Sequence, residues 1–323
     1  MQEKERHHMA LFDMPLEELR RYAPPLTREP DFDAFWDATL AEAANTPLNL
    51  RLTPLELPFR NARLYRATYA GWGGAEIAGT YATPLGDGPF PAIAIYHGYS
   101  WHGPNPWDLL AWTSQGYAVL ATDVRGQGGQ SSDNAGYPGG HAPGFMTMGI
   151  SNPERYYYRG VYVDTARAVE ALASRPEVDA GRIGATGGSQ GGALTLAAAA
   201  LDSRVRAIVS EIPFLCHFRR ATTLVDTAPY KEIREFFRRT GADEGAAYRT
   251  LSYFDCMNLA PRIGAASLVT IGLMDDICPP STCFAAFNHI PAAKEALVNT
   301  FAGHETFPGV LEARARWFAA HLG

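Results

Sequence analysis

The chain has 323 residues, of which 46% are hydrophobic, enough to bury a substantial core and far from the composition of a disordered chain. Its 34 acidic and 28 basic side chains are scattered and give a formal net charge of −6, with no basic stripe suited to phosphates, so nucleic acid is excluded as a partner. No apolar run approaches the length of a membrane span, and the start, Met1-Gln2-Glu3-Lys4-Glu5-Arg6, lacks the apolar region of a signal peptide. A soluble, cytoplasmic protein without a membrane partner is expected.

Residues 1–10 read as a disordered leader, and residues 11–323 as a single α/β domain. Its first part, 11–57, is an arm packed on the body, because Pro24, Pro25 and Pro30 interrupt two helical stretches. Asp31 is placed to cap the second of these, Asp31–Leu40. Alternating apolar residues on either side of Gly71-Trp72-Gly73-Gly74 predict an antiparallel hairpin from Arg63 to Thr83.

After Pro84 the pattern changes. Short apolar runs at Ala92–Tyr96, Ala118–Thr122, Ile183–Thr186, Val205–Val209, Leu268–Ile271 and Ala296–Phe301 alternate with helical stretches. Such runs predict a mostly parallel central sheet covered by helices on both faces. Residues 211–258 break the rhythm and read as a helical insertion, whose aromatics either line a pocket or pack the insertion onto the sheet.

One stretch carries chemistry. Gly187-Gly188-Ser189-Gln190-Gly191 sits between an apolar strand and the helix-forming run Ala193–Ala200, the context of a nucleophile elbow that lifts Ser189 above the sheet edge. A serine needs a base and a group that orients the base, and in this fold both follow the nucleophile in the chain. Of His217, His289 and His304, the last is best placed, just after the final strand. Asp275 is the preferred acid in Leu273-Met274-Asp275-Asp276, with Asp276, Asp226 and Asp255 as weaker alternatives. The backbone amides of Gln190, at a helix N-terminus, and Tyr99, in the loop after Ala92–Tyr96, are the candidate oxyanion donors. His97 precedes Ser189 and reads as a structural imidazole under that loop. Cys216, Cys256, Cys278 and Cys283 lack metal-ribbon spacing and are expected as free, buried thiols. No metal or cofactor is called for.

These residues resemble a known family. Arg125-Gly126-Gln127-Gly128 with Ser131 or Ser132 nearby, the Ser189 elbow and His304-Glu305 are similar to the acetyl xylan esterase and cephalosporin C deacetylase family, carbohydrate esterase family seven. Leu11–Leu19, Tyr156-Tyr157-Tyr158-Arg159, Arg167–Glu170, Leu251–Asp255 and Gly272–Asp275 before Pro279-Pro280-Ser281-Thr282 extend the likeness to everything from Leu11 onward. The resemblance implies an α/β-hydrolase fold and a Ser189, Asp275, His304 triad with Tyr99 and Gln190 as oxyanion hole. It also implies deacetylation of acetylated xylose, xylo-oligosaccharides and cephalosporin C without a metal, and a homo-oligomer, a ring-like hexamer. Arg125 and Gln127 brace the elbow. The chain departs from the family at Ser100-Trp101-His102-Gly103, where Trp101 is expected to narrow or redirect the acyl pocket and, with His102, to contact substrate. The spacing of Gly128–Asp133 also differs, which leaves Ser131 and Ser132 without a role. A longer-chain esterase or lipase, a peptidase, or a non-catalytic binder on the same scaffold are the rival readings.

Overall fold

The computed structural model describes residues 12–323, so the expected leader lies outside the described residues, as does Leu11 at the start of the arm. Nine strands form one sheet in the order β1-β2-β3-β5-β4-β6-β7-β8-β9. They are β1 (Arg51–Pro54), β2 (Ala62–Ala70), β3 (Glu76–Pro84), β4 (Phe90–Tyr96), β5 (Ala118–Thr122), β6 (Val178–Gly188), β7 (Val205–Glu211), β8 (Ala266–Gly272) and β9 (Lys294–Asn299). The helices are α1 (Leu16–Leu19), α2 (Phe32–Ala44), α3 (Leu110–Thr113), α4 (Tyr157–Ala173), α5 (Gln190–Leu201), α6 (Phe218–Leu224), α7 (Tyr230–Thr240), α8 (Glu244–Phe254), α9 (Cys256–Leu259), α10 (Pro280–His289) and α11 (Val310–Leu322). None is long and apolar enough to cross a membrane.

From β5 to β9 every neighbouring pair is parallel, whereas β1, β2 and β3 join antiparallel at one side. The sequence explains the division. β5 and the inner part of β4 are apolar and buried on both faces, as parallel strands between helix layers must be, while β2 alternates buried and open positions. Trp112 of α3 and Trp317 and Phe318 of α11 pack on one face with Ile93, Val119 and Val209. The other face is covered chiefly by α4 and by α5, all of whose residues are buried, which is why α5 can be Ala- and Leu-rich all round.

Three local expectations change. The arm does more than pack on the body, since β1 adds a strand to the sheet by pairing Arg51 to Pro54 with Thr68 to Tyr65. Asp31 stands at the N-cap of α2, but no helix amide uses its side chain, which accepts the Tyr253 hydroxyl instead. The last strand runs 294–299 rather than 296–301: backbone pairing to β8 carries Lys294 and Glu295 into the edge strand, and Phe301 lies beyond it, exposed.

The 211–258 segment holds α6, α7, α8 and the start of α9. α7 buries Tyr230, Ile233 and Phe236 along one stripe and stops at Gly241 in the left-handed conformation, while Asp243 caps α8 through the amides of Gly245 and Ala246. All four cysteines are free and buried.

Candidate active site

Ser189 has φ 58° and ψ −118°, a conformation that costs a non-glycine residue on the order of 1–3 kcal/mol. Neighbouring strands hold it there. Its amide donates to the Glu211 carbonyl at 2.9 Å, and its carbonyl accepts from Phe214 at 3.0 Å and Ala193 at 3.1 Å. The flanking glycines are steric necessities: a Cβ on Gly187 would lie 2.4 Å from the Tyr96 carbonyl oxygen, and one on Gly191 only 2.1 Å from it. The turn thus presents Ser189 at the carboxyl edge of the sheet, between β6 and α5.

Of the four candidate acids only Asp275 reaches the imidazole of a candidate base. His304 Nδ1 and Asp275 Oδ2 are 2.8 Å apart, with Asp275 1% and His304 20% exposed at the side chain. Asp275 Oδ1 accepts the amides of Ile277 at 2.9 Å and Cys278 at 2.7 Å, which fixes the carboxylate. A carboxylate only accepts, so the proton of this bond sits on Nδ1 and Nε2 is left with a lone pair. Asp276 is exposed, Asp226 pairs with Lys231 and Arg234, and Asp255 is spent on the amides of His217, Phe218 and Met257. His217 bonds Tyr22, and His289 bonds the Ala285 carbonyl within its own helix.

No direct hydrogen bond joins Ser189 to His304 among the described residues, where the His304 ring bonds Asp275. The Ser189 hydroxyl neighbours the Cys278 thiol, which burial holds well above its ordinary pKa. The Cys278 sulfur, an Asp275 oxygen and a His304 nitrogen lie within 4.8 Å of one another, the one such metal-competent trio among the described residues. Nucleophile-to-base bonds are often loose until substrate arrives.

The amide of Gln190 is the first of α5 and has no partner within the helix. The Gln190 side chain is buried and ties the elbow to the loop after β5, exchanging hydrogen bonds with Gln127 at 2.9 and 3.1 Å. Gln127 also accepts the Ser100 amide at 2.9 Å, beside Tyr99, so its bracing role extends to both loops. His97 accepts the Val124 amide at 2.8 Å through Nε2, as expected of a structural imidazole.

Sequence reading missed Glu232. The Tyr99 hydroxyl donates to its two carboxylate oxygens at 2.8 and 2.9 Å, and Met146 donates to it at 3.2 Å. Burial raises the Glu232 carboxyl above its ordinary value, with the Tyr99 and Met146 bonds acting against it. Glu232 lies on α7, so the insertion grips the loop that carries the Tyr99 amide. No sequence signal marks it, because on an amphipathic helix it looks like one more surface charge.

Trp101 is 64% exposed and stacks on His102 with ring centroids 5.3 Å apart. It stands at a rim instead of plugging the elbow. A cavity of about 460 Å³ runs from Trp101 and His102 to Thr306, past Gly187, Gly188 and Glu211.

Comparison with known proteins supplies a framework for this geometry. A family model described as acetyl xylan esterase matches residues 9–322. The chain is 30% identical over 294 residues to the acetyl esterase Axe7A of Xylanibacter ruminicola, covering 87% of this chain but only 65% of that relative. Among solved structures, the acetyl xylan esterase from Paenibacillus sp. R4 superposes with a TM-score of 0.93 at 48% identity, covering 96% of this chain and all of that one. Acetyl xylan esterase 1 from Thermoanaerobacterium sp. JW/SL YS485 gives 0.92 at 37% identity, covering 96% and 99%. An acylaminoacyl peptidase from Pyrococcus horikoshii, at 18% identity and a TM-score of 0.57 over 80% of this chain and 41% of that one, shares the fold alone.

Proposed function

The chain belongs to the acetyl xylan esterase family, matched over residues 9–322, and from that premise we propose that it is a serine esterase that removes acetyl groups from small acetylated substrates. Acetylated xylose and xylo-oligosaccharides are the first substrates, with cephalosporin C as a related acetyl ester. The observation that carries the reading is the 2.8 Å Asp275–His304 bond beside the strained Ser189 turn.

Ser189 Oγ attacks the acetyl carbonyl while His304 Nε2 takes its proton. Asp275 holds the imidazole in the tautomer that makes this possible. The negative charge that develops on the carbonyl oxygen is received by the amides of Gln190 and Tyr99, fixed donors that need no reorganisation. His304 then returns the proton to the sugar alkoxide, and water, deprotonated by the same imidazole, clears the acetyl group from Ser189. No step calls for a metal or cofactor. A rate comparison across acetylated xylose, cephalosporin C and esters of longer acids tests the reading: it requires the acetyl compounds to lead, and a preference for long chains or peptides overturns it.

Glu232 is a positioning residue in this scheme. Glu232→Ala frees the Tyr99 loop and is expected to lower kcat roughly 10-fold, less than the 10²–10³ of losing an oxyanion donor outright. Glu232→Gln keeps an acceptor for Tyr99 and is expected to restore most of the rate, measured as kcat on an acetyl ester for both variants.

Trp101 and His102 form a stacking platform for the sugar of the leaving group, at the end of the cavity that runs past Gly187 and Gly188 to Thr306. A stacked ring contributes about 0.5–1.5 kcal/mol. Trp101→Ala should therefore raise KM for an acetylated xylo-oligosaccharide by about 2- to 10-fold with kcat kept. Ethyl acetate, which has no ring to stack, should show no change; an equal loss on both substrates places Trp101 in the acyl pocket instead. A ring-like hexamer belongs to the same proposal through the family likeness, and light scattering of the purified protein tests it.

A further inference from the structure

Cys278 is a nucleophilic side chain at the site that the hydrolysis leaves unused. It is wholly buried, neighbours the Ser189 hydroxyl, and is held by the short loop Asp275–Pro279 that also carries the acid. Its sulfur, one His304 nitrogen and one Asp275 oxygen lie within 4.8 Å of one another, and no other group of three or more His, Cys, Asp or Glu side chains among the described residues converges in this way.

We propose that Asp275, Cys278 and His304 form an inhibitory site for a thiophilic divalent cation, represented by Zn²⁺, which shuts the esterase by occupying its base. Sulfur, imidazole nitrogen and carboxylate oxygen are the donor set that zinc takes, at bond lengths of roughly 2.0–2.3 Å. In a tetrahedron built on those lengths the donors stand roughly 3.3–3.6 Å apart, so separations of up to 4.8 Å have to close by about 1 Å, while the 2.8 Å contact of Asp275 with His304 Nδ1 has to open if that nitrogen is the ligand. Mg²⁺ and Ca²⁺ prefer oxygen ligands and gain nothing from the thiol or the imidazole. Charge also favours a dication. Once the Cys278 thiol gives up its proton to solvent, thiolate and carboxylate together offset the two positive charges of the ion, leaving the buried site neutral. The Ser189 hydroxyl or water completes the coordination.

Either mode of capture stops the base. If Nε2 binds the ion, its lone pair can no longer take the Ser189 proton. If Nδ1 binds, its proton is lost and the bond to Asp275 is broken. The inhibition rests on the proposed roles of Ser189 and His304, whereas the binding rests only on the geometry of the trio.

The test titrates ZnCl₂ into the full chain after removal of metal with a chelator, following heat of binding and hydrolysis of an acetyl ester in parallel, with MgCl₂ as the control. The expected result is inhibition by Zn²⁺ and not by Mg²⁺, reversed by EDTA. Cys278→Ser should weaken both the binding step and the inhibition, each variant scored against its own metal-free rate, by at least about 10-fold, as befits loss of a direct ligand. Zinc held by other histidines is common to both chains and drops out of the comparison. Co²⁺ in place of Zn²⁺ should give a thiolate-to-metal charge-transfer band that vanishes in Cys278→Ser, a readout independent of turnover. Equal zinc affinity in both chains, no cobalt–thiolate band, or no binding to the wild-type chain overturns the site and leaves the esterase reading intact. Zinc binding without any acetyl ester hydrolysis overturns the esterase reading and leaves the site.

Discussion

Replacing Ser189 with alanine is expected to lower turnover of 4-nitrophenyl acetate by about 10⁴-fold or more, to the residual rate that an oxyanion hole and binding sustain without a nucleophile. The fold should survive the change. Ser189 contributes only backbone hydrogen bonds to the elbow, and alanine at φ 58° bears the same strain as serine, so circular dichroism and the denaturant midpoint should stay where they are. A variant that is folded and inactive assigns the chemistry to the hydroxyl. A variant that keeps much of its activity, and loses it to a thiol-blocking reagent, would move the nucleophile to Cys278, against which the hydroxyl lies.

What the sequence disclosed was whatever local pattern encodes. β4 and β5 are apolar runs bounded by turns, and the elbow announces itself through glycines at positions where the Tyr96 carbonyl leaves no room for a Cβ. Chain order leaves three histidines, and the position of His304 just past the last strand singles it out. The contacts that were not legible join residues far apart in the chain. Tyr99 and Glu232 meet across 133 positions, and Asp31 finds Tyr253 across 222, where a local rule offered it a helix cap. Cys278 is close in sequence to Asp275, yet its place against Ser189 depends on how the loop folds back under the amides that grip Asp275. β9 shows the opposite failure: pairing on a sheet edge overrides the polarity of Lys294 and Glu295, which by themselves mark the run as starting at Ala296.

The largest stability effect is expected at Asp164. Its carboxylate accepts Arg125 Nε at 2.6 Å, Arg125 Nη2 at 2.8 Å and the Trp72 amide at 2.7 Å, and the Arg125 side chain has no exposed surface. Burial pushes the Asp164 carboxyl above its ordinary value, with Arg125 and the Trp72 amide pulling it back, so the pair in itself is not a strong source of stability. Breaking it is another matter. Asp164→Ala leaves the guanidinium buried, with Asp133 3.5 Å from Nη1 and no hydrogen bond formed to that nitrogen. Removing one partner of such a pair costs about 3–5 kcal/mol, seen as a lower urea midpoint at an unchanged slope. The double change Asp164→Leu with Arg125→Met removes both charges and should recover much of the loss. It also separates stability from activity, because Gln127, two residues beyond Arg125, holds the Ser100 amide and the Gln190 side chain. If the repacked pair restores the midpoint but leaves kcat low, the ion pair is there to hold Gln127 against Ser100 and Gln190; if both return together, its task is the fold alone.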